Sequence, residues 1–316
     1  MNMLQTLLSH PVLGPVLPVV WTALCMTVLL SFSGLAFMVG TLEITGVRTK
    51  RSAYQKAARQ LAVLCLALGW ILLICSRIYL FISSESYVPS SFLATVTELS
   101  WGVFGFSVIA VSIHFAVWHF FEKHRIWHAL LIFLAGANAL AGSYAILGCL
   151  RLIAATDLPN AALLTLADLF SFTFPSPLFN AIIATLPLAI AMPAAIALVW
   201  LAMRRKKDDF GRDYYTTIMK WVARWGFMAW IPVTIVAAVF VYFEVVPLLD
   251  AESEITPLTI AMQAARFLPA LLVSVFMGCI SKSALPMRYK ALALLCLFLS
   301  MPCAYFVFED ATSFVF

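Results

Sequence analysis

Apolar residues run through this chain in eight long blocks, at about 12–44, 58–83, 90–121, 126–155, 176–203, 218–247, 256–281 and 287–308, with short polar segments between them. Each block reaches the ~20 residues that an α-helix needs to cross the hydrocarbon slab of a bilayer. None has the alternating ten-residue pattern of a membrane barrel. The pattern predicts an all-α integral membrane protein, an eight-span helical bundle forming one transmembrane domain over residues 1–316. No basic segment precedes the first block and no small-residue cleavage site follows it, so it reads as a span and not as a cleaved leader.

Composition agrees. Of the 316 residues 63% are apolar and 11% are charged, against about 25% charged in a soluble domain. Charge placement then sets the orientation. All but three of the 20 Lys and Arg lie in or beside alternate loops, from Arg48 to Arg59, at Lys123 and Arg125, from Arg204 to Arg224, and from Lys282 to Lys290. The other loops carry acids, among them Glu85, Asp157, Asp168, Asp250, Glu252 and Glu254. By the positive-inside rule the basic loops face the cytoplasm and both termini lie outside, as expected for a bacterial inner (cytoplasmic) membrane. The same rule explains the net charge of +5 without a nucleic-acid partner.

Five ionisable residues fall inside spans, near their outer ends: Arg77, Glu98, Arg151, Glu244 and Arg266. A charge there costs a few kcal/mol unless it is paired, hydrated or close to an end. Their similar depth suggests one outer polar layer, suited to haem propionates or a quinone head. Structural ion pairing and snorkelling of Arg77 and Arg151 are the competing explanation. The histidines gather at the other end. His114 and His128 flank the third hairpin and are candidate axial ligands of a haem b. His119 and His124 sit beside Trp118 and Trp127, where interfacial anchors are ordinary. The seven cysteines form no CxxC or CxxCH and lie in apolar runs, so neither c-type haem nor a metal site is expected from them. There is no phosphate-binding glycine loop, no HExxH and no GxSxG.

Three stretches resemble subunit I of cytochrome bd-type quinol oxidases. They are "GLAFMVGTLEITGVRTKRSAYQKAARQLAVLCLALGW", "VWHFFEKHRIWHALLIFLAGANALAGSYAIL", and the segment from Phe172 to Arg205 with "PSPLFN" and "WLAMRR". The resemblance covers roughly residues 20–225. It implies the bd scaffold, an outside N-terminus, and a place in an electron-transfer complex with a quinone. A second membrane subunit or a periplasmic cytochrome would be its partner. The departures lie at the cofactor positions. Cys25 and Asn180 stand where the family has haem-ligating histidines, Arg77 replaces an acid, and Ser107 and Glu98 stand at or near two essential acids. The family's long exterior quinol loop shrinks to "PLLDAESEITP", and its later Met ligand and ninth span have no counterpart. The resemblance therefore implies the scaffold of a quinone-linked subunit without oxygen-reductase activity. A haem b quinol oxidoreductase with relocated ligands and a non-redox transporter are the alternatives.

Overall fold

The computed structural model describes residues 13–83, 91–155, 164–170, 177–250 and 256–313. The helices are α1 (Leu13–Thr49), α2 (Ser52–Ser83), α3 (Ser91–Ala116), α4 (Arg125–Ala155), α5 (Pro177–Ala191), α6 (Pro193–Arg204), α7 (Arg212–Asp250), α8 (Pro257–Lys282) and α9 (Lys290–Ser313). Short 3-10 turns lie at Leu166–Phe170 and Pro286–Tyr289, and no strand occurs among the described residues. Among the described residues eight segments are long and apolar enough to span a membrane, with α5 and α6 sharing the fifth. The expected lead-in to that span lies mostly outside the described residues.

α1 is the axle of the bundle. It packs against α2, α4, α5, α6 and α9. In its apolar window 72% is enclosed, against 11% for α7, which turns most of its surface outward. Small residues let the neighbours approach, because close helix packing in lipid depends on backbones meeting. Gly34 is the clearest case. A Cβ there would lie 2.0 Å from the Ala189 carbonyl oxygen and 2.7 Å from the Pro193 ring. Pro193 has no N–H to offer that carbonyl, so the fifth span breaks between α5 and α6. The break occurs where α1 presents no side chain.

At the basic end the loops meet. Gln60 of α2 donates to Asp208 at 3.0 Å and accepts from the Tyr214 hydroxyl at 2.7 Å. Arg204 donates to the same Asp208 oxygen at 2.8 Å, and the Tyr215 hydroxyl donates to the Asp208 carbonyl. The Trp200 indole closes the set on the Gln60 carbonyl. The start of α2, the end of α6 and the start of α7 are thus tied by one polar clamp. Away from the basic end, the Leu166–Phe170 turn folds back onto the bundle. Leu169 is buried with Phe92, Val96 and Cys149, and its carbonyl accepts from Tyr144 at 3.1 Å.

Candidate functional site

Among the described residues, the acid-base groups within the spans form three separate clusters. The first two come from the five intramembrane charges. Arg77 of α2 bonds both oxygens of Glu98 on α3, at 2.8 and 2.9 Å, and lies over the Trp101 ring. Both side chains are largely exposed, at 51% and 62%. Arg266 of α8 bonds Glu244 of α7, and Gln263, one turn before Arg266, bonds the other Glu244 oxygen. This pair is enclosed, at 10% and 24% exposure. The expected single polar layer is therefore two distinct pairs on two helix pairs, each acid neutralised by its own arginine. The Arg151 side chain lies outside the described residues.

The Glu244–Arg266 pair borders a cavity of about 290 Å³ that Leu258, Met262, Gln263 and Phe306 also line. On its other side Arg266 borders a small apolar void of about 40 Å³ between Leu188, Val233 and Phe306. The Gln263 amide gives its Nε2 to Glu244, and its buried Oε1 has no hydrogen-bond partner. A buried unsatisfied acceptor costs about 1–3 kcal/mol, so this corner of the cavity favours a ligand that brings a hydroxyl or N–H.

The third cluster is at the basic end. His114, near the end of α3, and His128, in the first turn of α4, face each other as the hairpin spacing suggests. Their rings stack with centroids 3.8 Å apart and 22° between planes. Between them and α1 sits Glu43, an acid the sequence reading did not single out. His114 Nε2 lies 2.9 Å from Glu43 Oε1, and His128 Nδ1 lies 3.0 and 2.8 Å from its two oxygens. His128 Nε2 reaches the His114 carbonyl at 2.8 Å. All three side chains are fully buried. Trp118 meets both rings edge to face, and Phe121 covers His128.

Hydrogen-bond accounting fixes the protons. A carbonyl only accepts, so His128 Nε2 carries a hydrogen. A single further proton then lies between His128 Nδ1 and Glu43, as an imidazolium–carboxylate pair or as two neutral groups. His114 Nδ1 has no partner and is least costly as a bare lone pair, with Nε2–H donating to Glu43. The cluster is a buried store of one shared proton with no net charge.

Neither iron in haem nor a bare cation fits this cluster as well as that proton. A porphyrin must pass between two axial rings, and rings in van der Waals contact leave no gap for it. In this arrangement His114 and His128 would have to move apart to ligate one haem b between them. The three donor groups do lie within 4.8 Å of one another, a His₂Glu set that divalent transition metals use. Their spacings are those of hydrogen bonds, however.

At the two positions where the resemblance expects haem-ligating histidines, Cys25 is a half-buried free thiol of α1 and Asn180 lies on α5 with its side chain outside the described residues. Ser107 has a structural partner, since Asn138 of α4 donates to it and to the Val103 carbonyl, both at 2.8 Å. His119 and Glu122 pair on the exposed surface at 3.3 Å.

No protein-family model and no curated protein matches the sequence. A search of solved structures finds similarity to the bd oxidase of Geobacillus thermodenitrificans, with a TM-score of 0.66 and 13% identity over 93% of this chain and 87% of that one. The chain has the bd-oxidase fold. At that identity the likeness fixes the fold alone.

Proposed function

We propose that this protein is a membrane subunit of a quinone-linked electron-transfer complex, built on the bd scaffold and without oxygen-reductase activity of its own. The reading places it in a bacterial inner membrane with both termini outside. It also gives the chain a second membrane subunit or a periplasmic cytochrome as partner. The observation that carries it is the outer cavity at Glu244, Gln263 and Arg266. A quinone offers carbonyl oxygens to the Arg266 guanidinium, and a quinol offers a hydroxyl to Gln263 Oε1. Leu258, Met262 and Phe306 supply the apolar wall that the ring and tail require. In this reading Glu244 takes a quinol proton while Arg266 balances the charge left on the quinol oxygen. The histidine-to-Cys25 and histidine-to-Asn180 departures support the absence of an oxygen-reducing site.

The test is binding of a short-chain quinol analogue to the purified protein, followed by quenching of its fluorescence. Arg266→Leu and Gln263→Leu should each weaken binding at least about tenfold, with the protein still inserted and folded. Equal affinity per folded molecule in both variants would reject the quinone site. A transporter built on the same scaffold is the alternative, and it predicts substrate flux that depends on Arg266 in sealed vesicles.

A further inference from the structure

Among the described residues no acid pairs with the buried cation at the basic end. Arg125 opens α4 and is only 8% exposed. Its guanidinium lies 4.6 Å from the centre of the Trp118 ring, and its Nη1 is buried with no hydrogen-bond partner. Glu43, bonded to its two histidines, is already neutral and saturated. Arg125 also lines a cavity of about 580 Å³ between the α1–α2 turn and the α3–α4 loop. Lys50, Lys123 and His124 line it too, against one acid, Glu122, whose carboxylate pairs with His119. Around this basic mouth the surface is apolar. Val47, Phe120, Ile126 and Trp127 are all exposed, Phe120 at 85%.

A buried arginine with an unsatisfied donor, two exposed lysines and the N–H groups of a helix start form the chemistry of a phosphate site. Three cations facing one paired acid call for an anion. An apolar rim at membrane depth calls for an anion with tails. We propose that this cavity holds the phosphate of an anionic glycerophospholipid from the leaflet at the basic end, with Arg125, Lys50 and Lys123 as its ligands. Basic pockets between spans on the positive side are where such headgroups bind. The site is separate from the outer cavity and stands or falls independently of the quinone reading.

The test uses the detergent-purified full chain and native mass spectrometry, with dioleoyl-phosphatidylglycerol and dioleoyl-phosphatidylcholine as probes. Phosphatidylglycerol should stay bound at collision energies that strip phosphatidylcholine. The double variant Lys50→Ser/Lys123→Ser alters only exposed side chains and should bind phosphatidylglycerol about tenfold or more weakly. Arg125→Met should lose the adduct altogether, and if that variant does not fold the lysine pair decides. Excess inorganic phosphate should not displace the lipid. Displacement would mean that the site takes a free phosphate and would overturn the lipid assignment. Equal retention of the two lipids, or an unchanged double variant, would overturn the site itself.

Discussion

Gly34 of α1 and Ala189 of α5 meet backbone to backbone, at a distance that leaves no room for a methyl group. The obstacle is a carbonyl oxygen and a proline ring, neither of which can rotate away. Gly34→Ala should therefore destabilise the bundle by about 1–3 kcal/mol or block its assembly. Thermal unfolding in detergent checks this, with Gly102→Ala as the control, since nothing lies within 4 Å of a Cβ at that position. Equal unfolding temperatures would show that α1 and the α5–α6 break can separate at no cost.

Glu43 is bonded to two buried histidines, so removing it leaves ring donors without an acceptor. Glu43→Ala should cost about 3–5 kcal/mol. Glu43→Gln keeps the shape and an acceptor and should cost less, while removing the shared proton. A carboxyl or imidazolium band that titrates in infrared difference spectra of the wild type should vanish in Glu43→Gln. Stoichiometric bound transition metal in the purified protein, lost in both variants, would replace the proton assignment with a metal site.

Lys50 adopts a left-handed backbone with φ 54° at the turn between α1 and α2. A side chain there costs roughly 1–2 kcal/mol relative to glycine. Lys50→Gly should raise stability by about 1 kcal/mol and at the same time weaken binding of phosphatidylglycerol. Opposite movement of the two readouts is the expected signature. A variant that gains stability and keeps full lipid affinity would remove Lys50 from the headgroup site.

Asp168 accepts from the backbone N–H and the hydroxyl of Thr165, at 2.7 and 2.8 Å, in the turn outside the spans. Those bonds hold its carboxyl below the usual carboxylate range, the backbone N–H contributing most. A lowered folded pKa stabilises the turn above the unfolded value of about 4, and that contribution is lost as the pH falls through the folded pKa. Hydrogen exchange at residues 165–170 should be flat from neutral pH down to about 5 once the intrinsic rate is removed, then accelerate below about 4. Asp168→Asn should show no such rise.

The Arg77–Glu98 pair gives a contrast in magnitude. One Arg77 nitrogen spans both Glu98 oxygens, but the pair is exposed, so Glu98→Gln should change stability by less than about 1 kcal/mol. Arg266→Leu removes the partner of an enclosed Glu244 and should cost several times more.

The spans were legible in the sequence because apolar run length is a direct measure of the bilayer. So was the meeting of His114 with His128, which a short hairpin enforces. The outer charges were legible in depth but not in direction. A residue's height in the membrane follows from its place along the helix, whereas its azimuth depends on how helices pack, and that split the expected layer into two pairs. Glu43 had a readable signal, as an acid inside an apolar run at the basic end of the bundle. Its meaning came only with the hairpin that folds over it.

Among the described helices, the most enclosed one stands in the chain ahead of those that enclose it. α1 carries Ser31, Ser33 and Glu43, all fully or almost fully buried in the finished protein. During synthesis it enters the membrane before α3 and α4 bring the histidines, and long before α9 closes over it. Until then Glu43 lacks both of its histidine partners. The Glu43 cluster is complete only once three separate helices, α1, α3 and α4, have come together.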